Sequence, residues 1–313
     1  MGRYAYCVTG FARPTKVRKC IESINRMDPL TPILLFVDRA TDATADILCA
    51  NQNLIGSCNK WKTEGIILDF KISAKNLRTK NACYSALEWS LNQFEFVVLI
   101  EDDLILISSP CDYLTKSTML MEKDASIGMA CLYSSRNHLI QSISGVRITK
   151  WPEMWGNLIS RNQFKEISTY TLNFDRRSTQ IVVDKFSNNS CVGILTRVFK
   201  KRFRKTWEFK FNKAIASEFA WDTEWQLGLW SLGKYALAPQ KSLVADTGVD
   251  TSSVSPLKGD STTLNCGFQS FTSRLGLPMC KSCETRREHQ NHTIPEKFFE
   301  LPYLGPLIKE GLL

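Results

Sequence analysis

Residues 96–107 read FVVLIEDDLILI. Five apolar residues lead into three acids, Glu101, Asp102 and Asp103, and LILI follows them. An unbroken apolar run of this kind reads as a strand covered on both faces, because a half-exposed strand would alternate. Unpaired carboxylates are costly to bury. Acids at the end of such a strand are therefore either a solvated turn or a site. Open α/β sheets bind ligands at the carboxyl ends of their strands, and clustered carboxylates suit Mg²⁺ or Mn²⁺.

The residues before this stretch alternate in the same sense. YAYCVTGF (4–11) reads as a buried strand, and PTKVRKCIESINRM (14–27) as a helix with Val17, Cys20, Ile21 and Ile24 on one face. PILLFVD (32–38) is a second strand and ATADILCANQN (43–53) a second helix. GIILDF (65–70) is a third strand, and NACYSALEWSLNQF (81–94) a third helix with Cys83, Leu87, Leu91 and Phe94 at helical spacing. The pattern predicts an α/β fold, a mixed, mainly parallel sheet flanked by helices. Farther on, IGMACLY (127–133) reads as a strand. In 197–213, a dense basic run is followed by Trp207, Phe209 and Phe211, which alternate like a half-buried strand. From 256 to 313 the chain is polar and reads as an irregular extension.

The 313 residues carry 40 Lys+Arg against 31 Asp+Glu, a net charge of +9, which favours an anionic partner without naming it. No apolar run reaches the about 18 residues a membrane helix needs, and the start lacks a signal-peptide core. The expectation is a cytoplasmic protein, with the basic run as a peripheral contact for an anionic inner membrane face. A solvated basic face is the plainer reading of that run. The 11 cysteines read mainly as buried small hydrophobes. Cys280, Cys283, His289 and His292 could form a zinc site, but the two pairs are closer than in finger motifs, and a cysteine-containing turn in a polar tail is the plainer reading. His138 is lone and reads as structural. No GxGxxG, GxxxxGK[ST] or GxSxG motif occurs.

Taken together, these segments resemble the GT-A fold (Rossmann-like) glycosyltransferases, those similar to N-acetylglucosaminyltransferase I and its bacterial relatives. VVLIEDDLILISSPCDYL (97–114) looks like that family's metal-binding segment, a variant of its Asp-x-Asp motif. TGFARPTKVRKCIESI, ILLFVDRATDATADIL and AKNLRTKNACYSALEWSL resemble its opening units. WPEMWGNLISRNQF and FAWDTEWQLGLWSLGKYALAPQKSLVADTGVDTSS resemble its acceptor-side and closing segments. The resemblance implies a domain over 1–255, with a nucleotide-binding half at 1–107 and an acceptor-side half at 108–255. It further implies an inverting, metal-dependent enzyme of the hexosyltransferase class, taking a nucleotide-sugar donor (a UDP-sugar) and a glycan or glycolipid acceptor of polysaccharide biosynthesis.

Carried onto this chain, Asp103 is the metal ligand, and Asp102 and Glu101 orient the ribose, the metal's waters and the loop. Arg13, Asp38 and Lys75 hold the nucleotide and diphosphate. Asp222 is the catalytic base, but Thr223 separates it from Glu224 in WDTEW, so either acid is open for that role. Without the resemblance, AWDTEWQLGLW reads as an amphipathic helix whose acids face water. Trp151, Trp155, Trp221 and Trp225 could offer faces to a sugar, though tryptophans more often fill cores. A sugar-phosphate nucleotidyltransferase shares the plan but calls for a Gly-rich loop where GFARP has one Gly. A nucleic-acid-binding protein calls for a binding module, and none is recognisable, so no nucleic acid is expected.

Overall fold

The computed structural model describes residues 3–134, 146–150, 152–171, 179–183 and 197–247. His138, Trp151, the Cys280–His292 cluster and the 256–313 extension lie outside them.

Four strands follow the expected alternation: β1 (Tyr4–Gly10), β2 (Ile33–Val37), β3 (Asp69–Ile72) and β4 (Phe96–Glu101). Helices α1 (Pro14–Met27), α2 (Ala45–Thr63) and α3 (Arg78–Leu91) connect them. After β4 come β5 (Leu104–Leu106), α4 (Cys111–Lys123), β6 (Ile127–Cys131), β7 (Val146–Thr149), β8 (Asn157–Ser160) and α5 (Arg161–Thr171). Then follow α6 (Arg197–Ile215), α7 (Trp221–Ser231), β9 (Tyr235–Pro239) and β10 (Val244–Asp246).

The eight-stranded sheet runs β3-β2-β1-β4-β8-β6-β9-β7. Strands β1 to β4 are parallel, β8 lies antiparallel between β4 and β6, and β7 is antiparallel at the edge. The sheet is thus mixed and mainly parallel, with helices on both faces. Alternation along β4 divides its side chains between two cores. Phe96, Val98 and Ile100 pack with α1, α2 and α4, whereas Val97 and Leu99 pack with α3, α5, α6 and α7. Five cysteines, Cys7, Cys20, Cys58, Cys83 and Cys131, are buried free thiols in these cores.

Two segments depart from the sequence reading. Residues 197–213 belong to a helix, not a strand. Phe211 is buried while Phe209 is 69% exposed, and Trp207 and Phe211, four apart, pack together with ring centroids 5.2 Å apart. The period-2 spacing of the aromatics is outweighed by the helical preference of the Lys, Arg and Glu around and between them. The third strand begins at Asp69, four residues later than Gly65. Helix α2 instead closes around Gly65, whose φ of +69° suits glycine. The Ile66 N–H then donates back to the Trp61 carbonyl at 2.8 Å.

Gly10 ends β1 where α1 crosses close above it. A Cβ there would stand 2.7 Å from Val17 Cγ2 and 3.1 Å from Leu54 Cδ2. Because Val17 is buried and β-branched, it has little room to yield. Gly10→Ala is expected to lose about 1–3 kcal/mol in urea unfolding, and an unchanged midpoint would contradict this packing.

Candidate functional site

The acids stand at the carboxyl edge of the sheet, where β4 turns into β5. Glu101 continues the Val97–Leu99 side of β4, so it points toward α7. There the Trp221 indole N–H donates to Glu101 Oε1 at 3.3 Å. Asp102 and Asp103 lie in the turn and meet Arg13, which caps the start of α1 on the other face. The Arg13 guanidinium holds Asp102 through two nitrogens, with Nε at 3.1 Å from Oδ2, and reaches Asp103 Oδ2 at 3.3 Å. The Asp102 side chain is 5% exposed and that of Asp103 26%, so Asp103 is the more open acid of the turn.

Crowding shows in the electrostatics. Burial, and next the Asp103 charge, push Glu101 up to about 8, with Asp222 and Asp102 adding to the effect. Burial lifts Asp102 to about 6 against the opposing pull of Arg13. Asp222, in the first turn of α7, is likewise raised by burial, while two bonds from Thr223 oppose the rise. The Thr223 N–H and hydroxyl both donate to Asp222 Oδ1, at 2.7 and 3.3 Å. Glu101, Asp102, Asp103 and Asp222 therefore form one electrostatic group with Arg13 on its flank.

The turn is braced from below. Thr247, just past β10, donates its N–H and hydroxyl to the Asp103 carbonyl at 2.7 and 2.8 Å. β10 pairs antiparallel with β5, which brings a residue 144 positions away to the acids.

Glu224 lies elsewhere. It is 5% exposed and takes Lys80 Nζ at 2.5 Å. Burial raises its carboxyl, and Lys80 opposes the rise. Lys80 also donates through its backbone N–H to the Glu218 carbonyl at 2.9 Å, fastening α3 to the loop that enters α7. Lys80→Ala would leave Glu224 buried without its partner. We expect a loss of about 3 kcal/mol in chemical denaturation; a loss under about 0.5 kcal/mol would mean the pair behaves like a surface bridge.

Among the described residues neither Asp38 nor Lys75 is bonded to the acids, but the end of β2 that carries Asp38 lies on the same carboxyl edge of the sheet, two strands from β4. Asp38, at the end of β2, accepts from Ser73 Oγ at 2.8 Å and from the Leu77 N–H at 2.9 and 3.1 Å. Burial raises its carboxyl, and these bonds oppose the rise. Its carboxylate pins the β3–α3 loop. Lys75 is exposed in that loop, and its carbonyl accepts from Ser73 Oγ at 2.7 Å. Beside it, Arg78 holds a φ of +63°, and its N–H donates to Asn76 Oδ1 at 3.0 Å. A non-glycine residue held in this way stores strain of about 1–3 kcal/mol.

Of the tryptophans, Trp221 and Trp225 are 3% and 0% exposed, so neither offers a face to a sugar in this arrangement. Trp155 is half-buried against Tyr133, centroids 4.4 Å apart. A cavity of about 490 Å³ lies at the opposite edge of the sheet, beside Phe96 where β4 begins, and plays no part in this cluster.

Among the described residues no group of three or more His, Cys, Asp or Glu is arranged to hold a metal ion. A hard cation at this turn would have Asp103, 26% exposed, as its protein ligand and would depend on water or substrate oxygens for the rest of its shell. Among those residues no helix is long and apolar enough to cross a membrane.

No family model matches the chain, and no curated protein matches it. Among solved structures it is similar to TarS of S. aureus, at 11% identity and a TM-score of 0.34, over 53% of this chain. The chain spans 30% of the length of TarS. It is similar to the mannosyltransferase PcManGT from Pyrobaculum calidifontis, solved with GDP-Man and Mn²⁺, at 12% identity and a TM-score of 0.37, over 74% of this chain and 73% of that one. A third is the galactosyltransferase LgtC, solved with donor and acceptor sugar analogues, at 14% identity and a TM-score of 0.31, over 54% and 64%. None of the three is N-acetylglucosaminyltransferase I, and likenesses of this size decide neither the activity nor the substrates of this chain.

Proposed function

We propose that the protein is a metal-dependent glycosyltransferase. In this reading it moves a sugar, with inversion, from a nucleotide-sugar donor such as a UDP-sugar to a hydroxyl of a glycan or glycolipid. The observation that carries the proposal is the meeting of Arg13, Glu101, Asp102, Asp103 and Asp222 at the carboxyl edge of the sheet. That is where an open α/β sheet presents its chemistry.

Each residue has a role that follows from its setting. Asp103, more open than Asp102, would hold a divalent cation, and that cation would supply neutralisation of the charge on the diphosphate leaving group. Arg13 and Asp102 fix the turn that presents Asp103, and Arg13 gives the phosphates a cationic wall. Glu101, kept in place by Trp221, orients the loop toward α7. Asp222 takes the proton of the acceptor hydroxyl. Its burial favours the protonated product of that step, and a base poised above the usual carboxylate range works better near neutral pH. Glu224 is engaged by Lys80, which favours Asp222 over it for this role. Asp38 shapes the loop that would border the nucleotide, and Lys75 stands exposed on it.

The experiment is to incubate the protein and Asp103→Ala with a panel of nucleotide sugars, with Mn²⁺ and with chelator. The reading expects Mn²⁺-dependent hydrolysis of at least one donor by the parent alone. Pyrophosphate release from a nucleoside triphosphate and a sugar phosphate, with no donor hydrolysed, would point to a nucleotidyltransferase instead.

A further inference from the structure

Helix α6 concentrates the chain's charge. Its 19 residues hold eight Lys and Arg against the single acid Glu208, a surplus of seven in a chain whose net charge is +9. The rest of the protein is close to balanced. Lys205, Phe209 and Lys213 follow one another at intervals of four, so they share one helix face, and all three are exposed, Phe209 at 69%. Neither lysine is paired with an acid among the described residues. The opposite face is committed to the core. There Trp207 and Phe211 stand 4.9 and 5.3 Å from Trp230 of α7, ring centroid to centroid.

We propose that this outward face of α6 docks on an anionic lipid surface, with Phe209 entering the interface between lysines that reach the headgroups. A stripe of flexible cations flanking one large apolar ring suits that boundary. The lysine stems lie along the apolar layer while their ammonium groups stay wet, and anionic lipids attract each of them. Purely solvated lysines would gain nothing from an exposed phenylalanine among them. A nucleic-acid duplex would call for the charges but not for the ring to be buried, and a single strand, whose bases could stack on it, is set against the lipid in the test. Because α6 packs against α7, which carries Asp222 in its first turn, and its Lys210 acts on the Asp222 charge, docking here brings a lipid-linked acceptor toward the catalytic end of the molecule. Only that last step rests on the function proposed above.

The test is sedimentation of the full chain with phosphatidylcholine vesicles and with vesicles that also contain phosphatidylglycerol, beside binding to duplex and single-stranded DNA. The expected result is partition onto the anionic vesicles alone. It should fall about 30-fold in the double variant Lys205→Gln/Lys213→Gln and about tenfold in Phe209→Gln. All three positions are exposed, so the variants should keep the parent's circular dichroism. The proposal is overturned by equal partition onto neutral vesicles, by no partition onto either, by an unaffected Phe209→Gln, or by tighter binding to DNA than to the vesicles. No donor turnover enters this readout, so its failure leaves the transferase reading standing, and the reverse holds too.

Discussion

Asp103→Ala is expected to lower Mn²⁺-dependent donor turnover by on the order of 10³-fold while leaving the protein folded. The carboxylate is more open than that of Asp102, and the bond its side chain makes among the described residues is to Arg13, at 3.3 Å. What braces the turn is its backbone carbonyl, held by Thr247, and alanine keeps that carbonyl. The loss should therefore fall on chemistry, with the urea midpoint nearly unchanged. Asp102→Ala makes the contrast. That side chain is 5% exposed and carries two bonds from Arg13, so its removal leaves a half-buried guanidinium without its main partner. Such a change should cost stability as well as activity. Equal turnover by Asp103→Ala and the parent would remove Asp103 from the reaction.

Asp222→Asn is expected to lower kcat by about 10²–10⁴-fold with KM for the donor little changed. The amide keeps the shape of the side chain and can still accept from Thr223, but it cannot take a proton. Glu224→Gln separates the two acids of WDTEW. Its partner Lys80 is held inside the protein, so the change should lower the unfolding midpoint and leave kcat within a few-fold of the parent. Full activity in Asp222→Asn beside a dead, well-folded Glu224→Gln would reverse the assignment.

The front half of this fold could be read directly. Strands β1, β2 and β4 are short, largely apolar runs and α1 has a clean Val17–Ile24 face, so period and length told strand from helix there, whereas β3, DFKI, is no such run and the apolar pattern places its start four residues early. The acids were legible for the same reason, since nothing but a site or a turn places three carboxylates between FVVLI and LILI. Asp102 and Asp103 occupy a turn that also faces Arg13, and Glu101 ends β4 on the other side. What could not be read was long-range pairing. Lys80 and Glu224 are 144 residues apart and Trp221 and Glu101 are 120 apart, and no local pattern marks either pair. The insertion of antiparallel β8 between β4 and β6 is also a property of the assembled sheet rather than of any segment. Helix α6 misled because three aromatics at alternate positions imitate a strand, whereas only Trp207 and Phe211 face the core.

The account stands on a cation-dependent grip on a donor's diphosphate at the tip of β4. Calorimetric titration with UDP and GDP, in Mn²⁺ and then in chelator, measures that grip without an acceptor. The account predicts binding of at least one nucleotide in Mn²⁺, lost on chelation and lost in Asp103→Ala. Binding that is the same in chelator, or unaltered in Asp103→Ala, would contradict it.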